Sequence, residues 1–216
     1  MAELVCLHGL GRAASDFNGV RPGLLRFGRV TAPDLPRGGM PALRAATADL
    51  PRPAILVAHS MAGPLALWHA VQAPEAVAGI VLTGSFFPPA RNGRTLGASL
   101  TDYGRHRVAV VRAAASRSAR PRLAGGTARG TASLAGMGLR PARFHALAGA
   151  VAAPVLVVHA RDDHFVPVDF ALAAARRHPG WSVAILRAGG HNAHVERPAE
   201  WLDAVSPWLR GDQRAR

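Results

Sequence analysis

A serine set among small residues is the first feature of this 216-residue chain that could do chemistry. The apolar run Ala54-Ile55-Leu56-Val57-Ala58-His59 passes straight into Ser60-Met61-Ala62-Gly63 and then into a helix-like segment. A turn that sharp strains the central residue's backbone and brings strand and helix too close for large neighbouring side chains. Ser60 is therefore a candidate nucleophile whose oxygen projects at a sheet edge, where the start of a helix favours developing negative charge. A hydroxyl needs a base within hydrogen-bond reach. His191, which follows Ala188-Gly189-Gly190, is the candidate base. Its imidazole needs an acceptor to fix the tautomer. Asp162 and Asp163 both follow the apolar run Pro154–His159, and either could be that acceptor. His194, three residues after His191, is expected to pack the entry to the last helix. A metal site built from His191, His194 and Glu196 has no further ligand cluster to support it, so neither a metal nor another cofactor is expected.

These residues need a frame that brings them together. Short apolar, β-branched runs alternate with helix-like segments, the pattern of a parallel sheet covered on both faces. The expected strands are Leu4–Leu7, Arg29–Ala32, Ile55–Ala58, Gly79–Thr83, Val155–His159 and Ser182–Leu186. Their continuous hydrophobicity suits strands buried on both sides. Helices are expected near Gly19–Phe27, Met40–Asp49, Met61–Gln72, Val168–Arg177 and Ala199–Leu209. Right-handed crossovers would gather the loops after the strands on one edge, where such folds put ligands. The stretch from Phe86 to about Ala152 shows no clear strand. A connection that long is functional or mobile. The expected organisation is an α/β core over residues 1–87 and 152–216, with an inserted arginine-rich lid over 88–151.

The formal net charge of +13 invites a nucleic-acid reading, but its distribution argues against one. All 26 basic residues are arginine, a bias that genome composition explains. Eleven of them lie between Pro88 and Ala150 against one acid, Asp102, so the charge is concentrated in the inserted stretch. Aromatic interleaving is missing and Tyr103 is the only tyrosine, so no RNA or DNA partner is expected. The segment from Arg52 to Arg91 carries one acid, Glu75, between its end arginines. It is interrupted by His59, Ser60, Gly63, Pro64, Pro74 and Gly79, so a buried strand–helix–strand unit is expected there and no membrane span. A single cysteine, Cys6, excludes an internal disulfide framework and is expected as a buried strand thiol. Met1-Ala2-Glu3 lacks the basic start of a secretory signal, so a cytoplasmic setting is expected.

Taken in order, the motifs resemble those of the α/β-hydrolase superfamily. Ala58-His59-Ser60-Met61-Ala62-Gly63 resembles its nucleophile elbow, with alanine where the family usually carries two glycines, and Ala58-His59-Ser60-Met61 is similar to the elbow of small Bacillus lipases. Gly190-His191-Asn192-Ala193-His194-Val195-Glu196-Arg197-Pro198 is similar to the family's Gly-His-x-x-His-x-Glu-x-Pro segment, which implies a catalytic His191. Asp163 stands four residues before Pro167, as in the family's Gly-x-x-Asp-x-x-Val-Pro. The resemblance therefore selects Asp163, with Asp162 as the fallback and Ala160 replacing the glycine. Leu7-His8-Gly9-Leu10-Gly11 resembles the oxyanion loop, which implies that the backbone amides of Leu10 and Met61 hold the developing oxyanion. His8 and Asp34 take structural places in this pattern.

The order Ser, Asp, His is the one this fold uses. The resemblance implies a doubly wound, mostly parallel six-stranded sheet with helices on both faces, lacking the superfamily's first strands and carrying a helical lid. It also implies a serine hydrolase that cleaves a carboxylic ester or thioester through an acyl-enzyme. A thioesterase for carrier-linked acyl groups, or a lactone or C–C bond hydrolase, remains open, as does a non-catalytic small-molecule binding or signalling protein. The expected partner is a small acyl substrate. The basic lid could also face an acidic acyl carrier protein, bind a substrate carboxylate, or carry only solvated arginines.

Overall fold

A computed structural model describes residues 2–9, 12–35, 53–88 and 141–211. Six strands form one sheet: β1 (Ala2–Leu7), β2 (Gly28–Thr31), β3 (Ala54–His59), β4 (Val77–Thr83), β5 (Val155–Ala160) and β6 (Ser182–Leu186). Every neighbouring pair runs parallel, in the order β2-β1-β3-β4-β5-β6. The described helices are α1 (Arg21–Leu24), α2 (Ala62–Gln72), α3 (Pro141–Gly149), α4 (Val168–Arg177), α5 (Ala193–Glu196) and α6 (Pro198–Arg210).

The strand sequences explain why the sheet is covered twice. Side chains alternate between faces, so a strand apolar at every position must bury both. Along β3, Ala54, Leu56 and Ala58 join one core with Ala66, Leu67 and Ala70 of α2, Phe144 of α3 and Ala171 and Ala174 of α4. Ile55 and Val57 point the other way, into a core closed by Phe17, Val20, Leu24 and, from α6, Trp201, Val205 and Trp208. Trp201 is anchored as well as buried, since its indole N–H donates to Thr83 Oγ1 at 2.8 Å. Losing either buried tryptophan to alanine would cost about 3–5 kcal/mol.

All six expected strands are present, with ends within two residues. The expected helix at 19–27 contracts to the four residues of α1, because Gly23 is a poor helix former and the chain turns at Leu25–Phe27, where the Phe27 amide bonds the Leu24 carbonyl at 2.9 Å. The expected helix at 40–49 and residues 89–140 of the expected lid lie outside the described residues. Of the stretch expected as an insertion, Pro88 and residues 141–151 are described, and α3 there packs its Phe144 and Ala148 into the core beside α2. Among the described residues no helix is long and apolar enough to cross a membrane.

Strand order sets the location of the site. β1 lies between β2 and β3, so the chain winds outward in both directions from that point, and folds of this kind take ligands at the carboxyl ends of the strands there. His8 and Gly9 leave β1 there, Ser60 leaves β3, Asp163 follows β5 and His191 follows β6.

Candidate active site

Ser60 has φ +54°, the one positive value at a non-glycine among the described residues. Such a conformation costs about 1–3 kcal/mol and persists only where its surroundings fix it. Here the fixing is by hydrogen bonds. The Ser60 amide donates to the Thr83 carbonyl at 3.1 Å. The Ser60 carbonyl accepts from the amides of Gly63 at 3.1 Å and Phe86 at 3.2 Å, and from the Ser85 hydroxyl at 3.4 Å.

The tight packing predicted around this turn falls at particular residues. Ala58 and Ala62 are fully buried, so alanine is accommodated at both places where the resemblance would put glycine. The intolerant position is one further on. A Cβ on Gly63 would stand 1.8 Å from Ser85 Oγ, and one on Gly9 would stand 3.0 Å from the Ser60 Cβ.

The structure brings His191 and Asp163 to this serine. His191 Nε2 lies 2.9 Å from Ser60 Oγ, and His191 Nδ1 lies 2.9 Å from Asp163 Oδ2. The carboxylate can only accept, so Nδ1 carries the proton and the Nε2 lone pair receives the serine O–H. Asp163 has no exposed side-chain surface, whereas His191 keeps a narrow opening to solvent. The other carboxylate oxygen, Oδ1, accepts from the amides of Phe165 at 2.8 Å and Val166 at 2.9 Å. Burial alone would raise the Asp163 pKa. The hydrogen bond from His191, the electrostatic influence of His191 and His159 and the Val166 amide outweigh it and hold the carboxyl below its ordinary value. Asp163 is thus a buried, ionised acceptor. Asp162 is exposed and does not face the imidazole pair.

The loop bearing His191 is held from several sides. The Gly190 amide donates to Glu196 Oε2 at 2.7 Å, His59 Nε2–H donates to the His191 carbonyl at 3.1 Å, and the Phe165 ring lies 4.6 Å from the imidazole. Glu196 therefore caps this loop. His194 turns away into the core between Phe17 and His59, with ring centroids 5.0 and 4.5 Å distant. No group of three or more metal-ligating side chains is assembled among the described residues. His8 Nδ1–H donates to the Gly9 carbonyl and its Nε2 accepts from the Leu35 amide, while Asp34 accepts from the Ala14 amide, so both shape loops. Met61 occupies the N-cap of α2, where an amide has no acceptor within the helix. Leu10 lies outside the described residues.

Three contributors carried no assigned role in the sequence: His59, His159 and Glu196. His159 lies on β5 with its Nε2 3.3 Å from Asp163 Oδ2. Their signals were position alone, next to the serine, four residues before the acid and within the histidine segment. As a whole, the arrangement can draw the proton from a serine hydroxyl onto an imidazole that a buried carboxylate steadies as it becomes positive.

Comparisons with known proteins agree with this architecture. No curated protein matches the sequence significantly. Among solved structures, the chain is similar to a thermophilic esterase from Thermogutta terrifontis, with TM-score 0.72 and 20% identity over 98% of this chain and 90% of that one. It is also similar to a serine hydrolase involved in carbazole degradation, with TM-score 0.67 and 21% identity over 97% of this chain and 91% of that one. A thioesterase domain from the curacin biosynthetic pathway matches with TM-score 0.66 and 18% identity, covering 97% and 91%. At these identities the likeness is one of fold. The sequence model of the alpha/beta hydrolase family matches residues 4–204, and the chain belongs to that family.

Proposed function

We propose that the protein is a serine hydrolase that cleaves a carboxylic ester through an acyl-enzyme on Ser60. The observation that carries this is the unbroken line of hydrogen bonds from Ser60 Oγ through His191 to the buried Asp163, 2.9 Å at each step. His191 takes the hydroxyl proton as Ser60 Oγ attacks the acyl carbon, and returns it to the leaving alkoxide. Water then attacks the acyl-enzyme with His191 again as base, which releases the acid and restores the serine. Asp163 holds the imidazole in its Nδ1–H tautomer and stabilises the imidazolium. The Met61 amide, at a helix start and next to the nucleophile, is one oxyanion donor in this scheme, and the Leu10 amide is the second. The scheme needs no cofactor.

Thioesters are the runner-up class, because the same attack serves them and the eleven arginines between Pro88 and Ala150 suit an acidic acyl carrier. A cytoplasmic setting belongs to the same proposal. It is supported by cysteine usage, the lone Cys6 offering no internal disulfide framework.

A fluorophosphonate probe with a panel of acyl esters and thioesters tests the scheme. Labelling at Ser60 that vanishes in Ser60→Ala, with turnover lower by about 10⁴-fold, supports it. A folded protein with an unreactive Ser60 would instead be a binding module. The carrier variant fails if raising ionic strength leaves KM for a carrier-bound acyl substrate unchanged.

A further inference from the structure

The acid of the site has a second histidine on it. His159 ends the exposed course of neither strand nor loop; it sits inside β5, fully enclosed, four residues before Asp163. Its Nε2 lies 2.8 Å from the Val166 carbonyl and 3.3 Å from Asp163 Oδ2, the same carboxylate oxygen that faces His191 Nδ1 at 2.9 Å. Both neighbours of Nε2 are acceptors, so Nε2 carries the proton and Nδ1 the lone pair. Nδ1 is buried without a partner among the described residues, and the Phe87 ring stands 6.2 Å from the imidazole. We infer that His159 is a positioning residue for the acid, a neutral N–H clamp that ties the Asp163–Val166 turn to β5 and fixes Oδ2 toward His191.

The hydrogen bonds form a closed circuit. His159 Nε2–H holds the Val166 carbonyl, the Val166 amide holds Asp163 Oδ1 at 2.9 Å, and the Asp163 amide reaches back to the Ala160 carbonyl on β5 at 3.3 Å. Asp163 thereby gains the rigidity of a central strand, although it stands in a loop. The choice of histidine also has an electrostatic reason. A lysine or arginine beside Oδ2 would neutralise the carboxylate and weaken its hold on an imidazolium at 191. A neutral imidazole offers only a dipole. Burial keeps it so, lowering the His159 pKa against the opposing pull of Asp163 and the Val166 carbonyl, with His191 adding to the lowering. Asp163 and His191 are the titratable groups that act on it. When His191 takes the serine proton, the positive charge therefore stays on His191.

This role rests on the acyl-transfer reading, so the test separates the two. Fluorophosphonate labelling of the wild type judges Ser60 by itself. With Ser60 reactive, His159→Phe removes the N–H, and kcat is expected to fall about tenfold with KM within about twofold. The low-pH limb of kcat/KM should move to higher pH as Oδ2 loses a compensating dipole. His159→Gln, which can return an N–H near the position of Nε2, should recover kcat to within about threefold and restore the limb. A folded His159→Phe with wild-type kcat and an unmoved limb overturns the inference, as does His159→Gln behaving like His159→Phe. If His159→Phe does not fold, ¹⁵N-histidine NMR of the wild type decides without a substrate. A proton on Nε2 of residue 159 supports the clamp, and a proton on Nδ1 refutes it.

Discussion

His191 has buried histidines on two sides, His159 beyond its acid and His59 with His194 on the other. On the acid side, His159 Nε2 has an acceptor at 2.8 Å, and Asp163 takes three hydrogen bonds across its two oxygens. On the far side, His59 gives one bond to the His191 carbonyl and, like His159, leaves Nδ1 without a partner among the described residues. His194 leaves both ring nitrogens without one among the described residues. A buried polar atom with no partner costs about 1–3 kcal/mol. Each side carries such atoms among the described residues, one on the acid side and three on the far side, but only the acid side ties its histidine to the carboxylate that faces His191; the far side sets its orphaned nitrogens in a cluster of tilted rings behind Ser60.

That contrast predicts different losses on the two sides. The largest belongs to Asp163→Asn, which should reduce kcat by about 10³- to 10⁴-fold by allowing the wrong tautomer at His191, with the fold retained by circular dichroism. Next comes His194→Leu, whose effect should fall on stability and not on turnover. Burial, with Arg12 and His191 adding to it, lowers the His194 pKa from 6.5 to about 3. The unfolded chain therefore binds that proton more readily. The associated stability is complete above pH 6.5 and is lost as pH falls from 6.5 toward 3. Urea titrations at pH 7 and pH 5 should show His194→Leu sparing about 2 kcal/mol of the wild type's loss, with kcat within about twofold. His59, also lowered by burial, keeps a residual acid sensitivity in both proteins. The smallest effect is expected from Asp162→Asn. That side chain is exposed beside the acid, and kcat/KM should stay within about twofold.

How far these features were legible beforehand depended on their physical range. The six strands were legible because burial on both faces demands uninterrupted apolar runs such as Ile55–Ala58. The turn at Ser60 was legible because tight packing demands small neighbours, although the position that admits no side chain proved to be Gly63 and not Ala62. Adjacent carboxylates could be separated only by a motif's spacing, since Asp162 and Asp163 differ in direction and not in type. Helix α3 was hidden in an arginine-, glycine- and alanine-rich stretch, where two buried residues, Phe144 and Ala148, are too few to mark a periodicity. The histidines were hidden for another reason. His59 meets a carbonyl 132 positions away, and His159 acts through a turn whose shape only the folded chain defines.

Cys6, the chain's one cysteine, gives the molecule a built-in reporter. It lies in the interior of β1, flanked by β2 and β3, with no accessible surface and a thiol that is scarcely ionised at neutral pH. A thiol-reactive dye should therefore leave the native protein unmarked and tag it only when the sheet comes apart. The tagging rate counts whole-molecule openings, with no competing sulfhydryl to confuse the signal, and it reads the cost of each histidine substitution at dilutions where spectroscopy is blind.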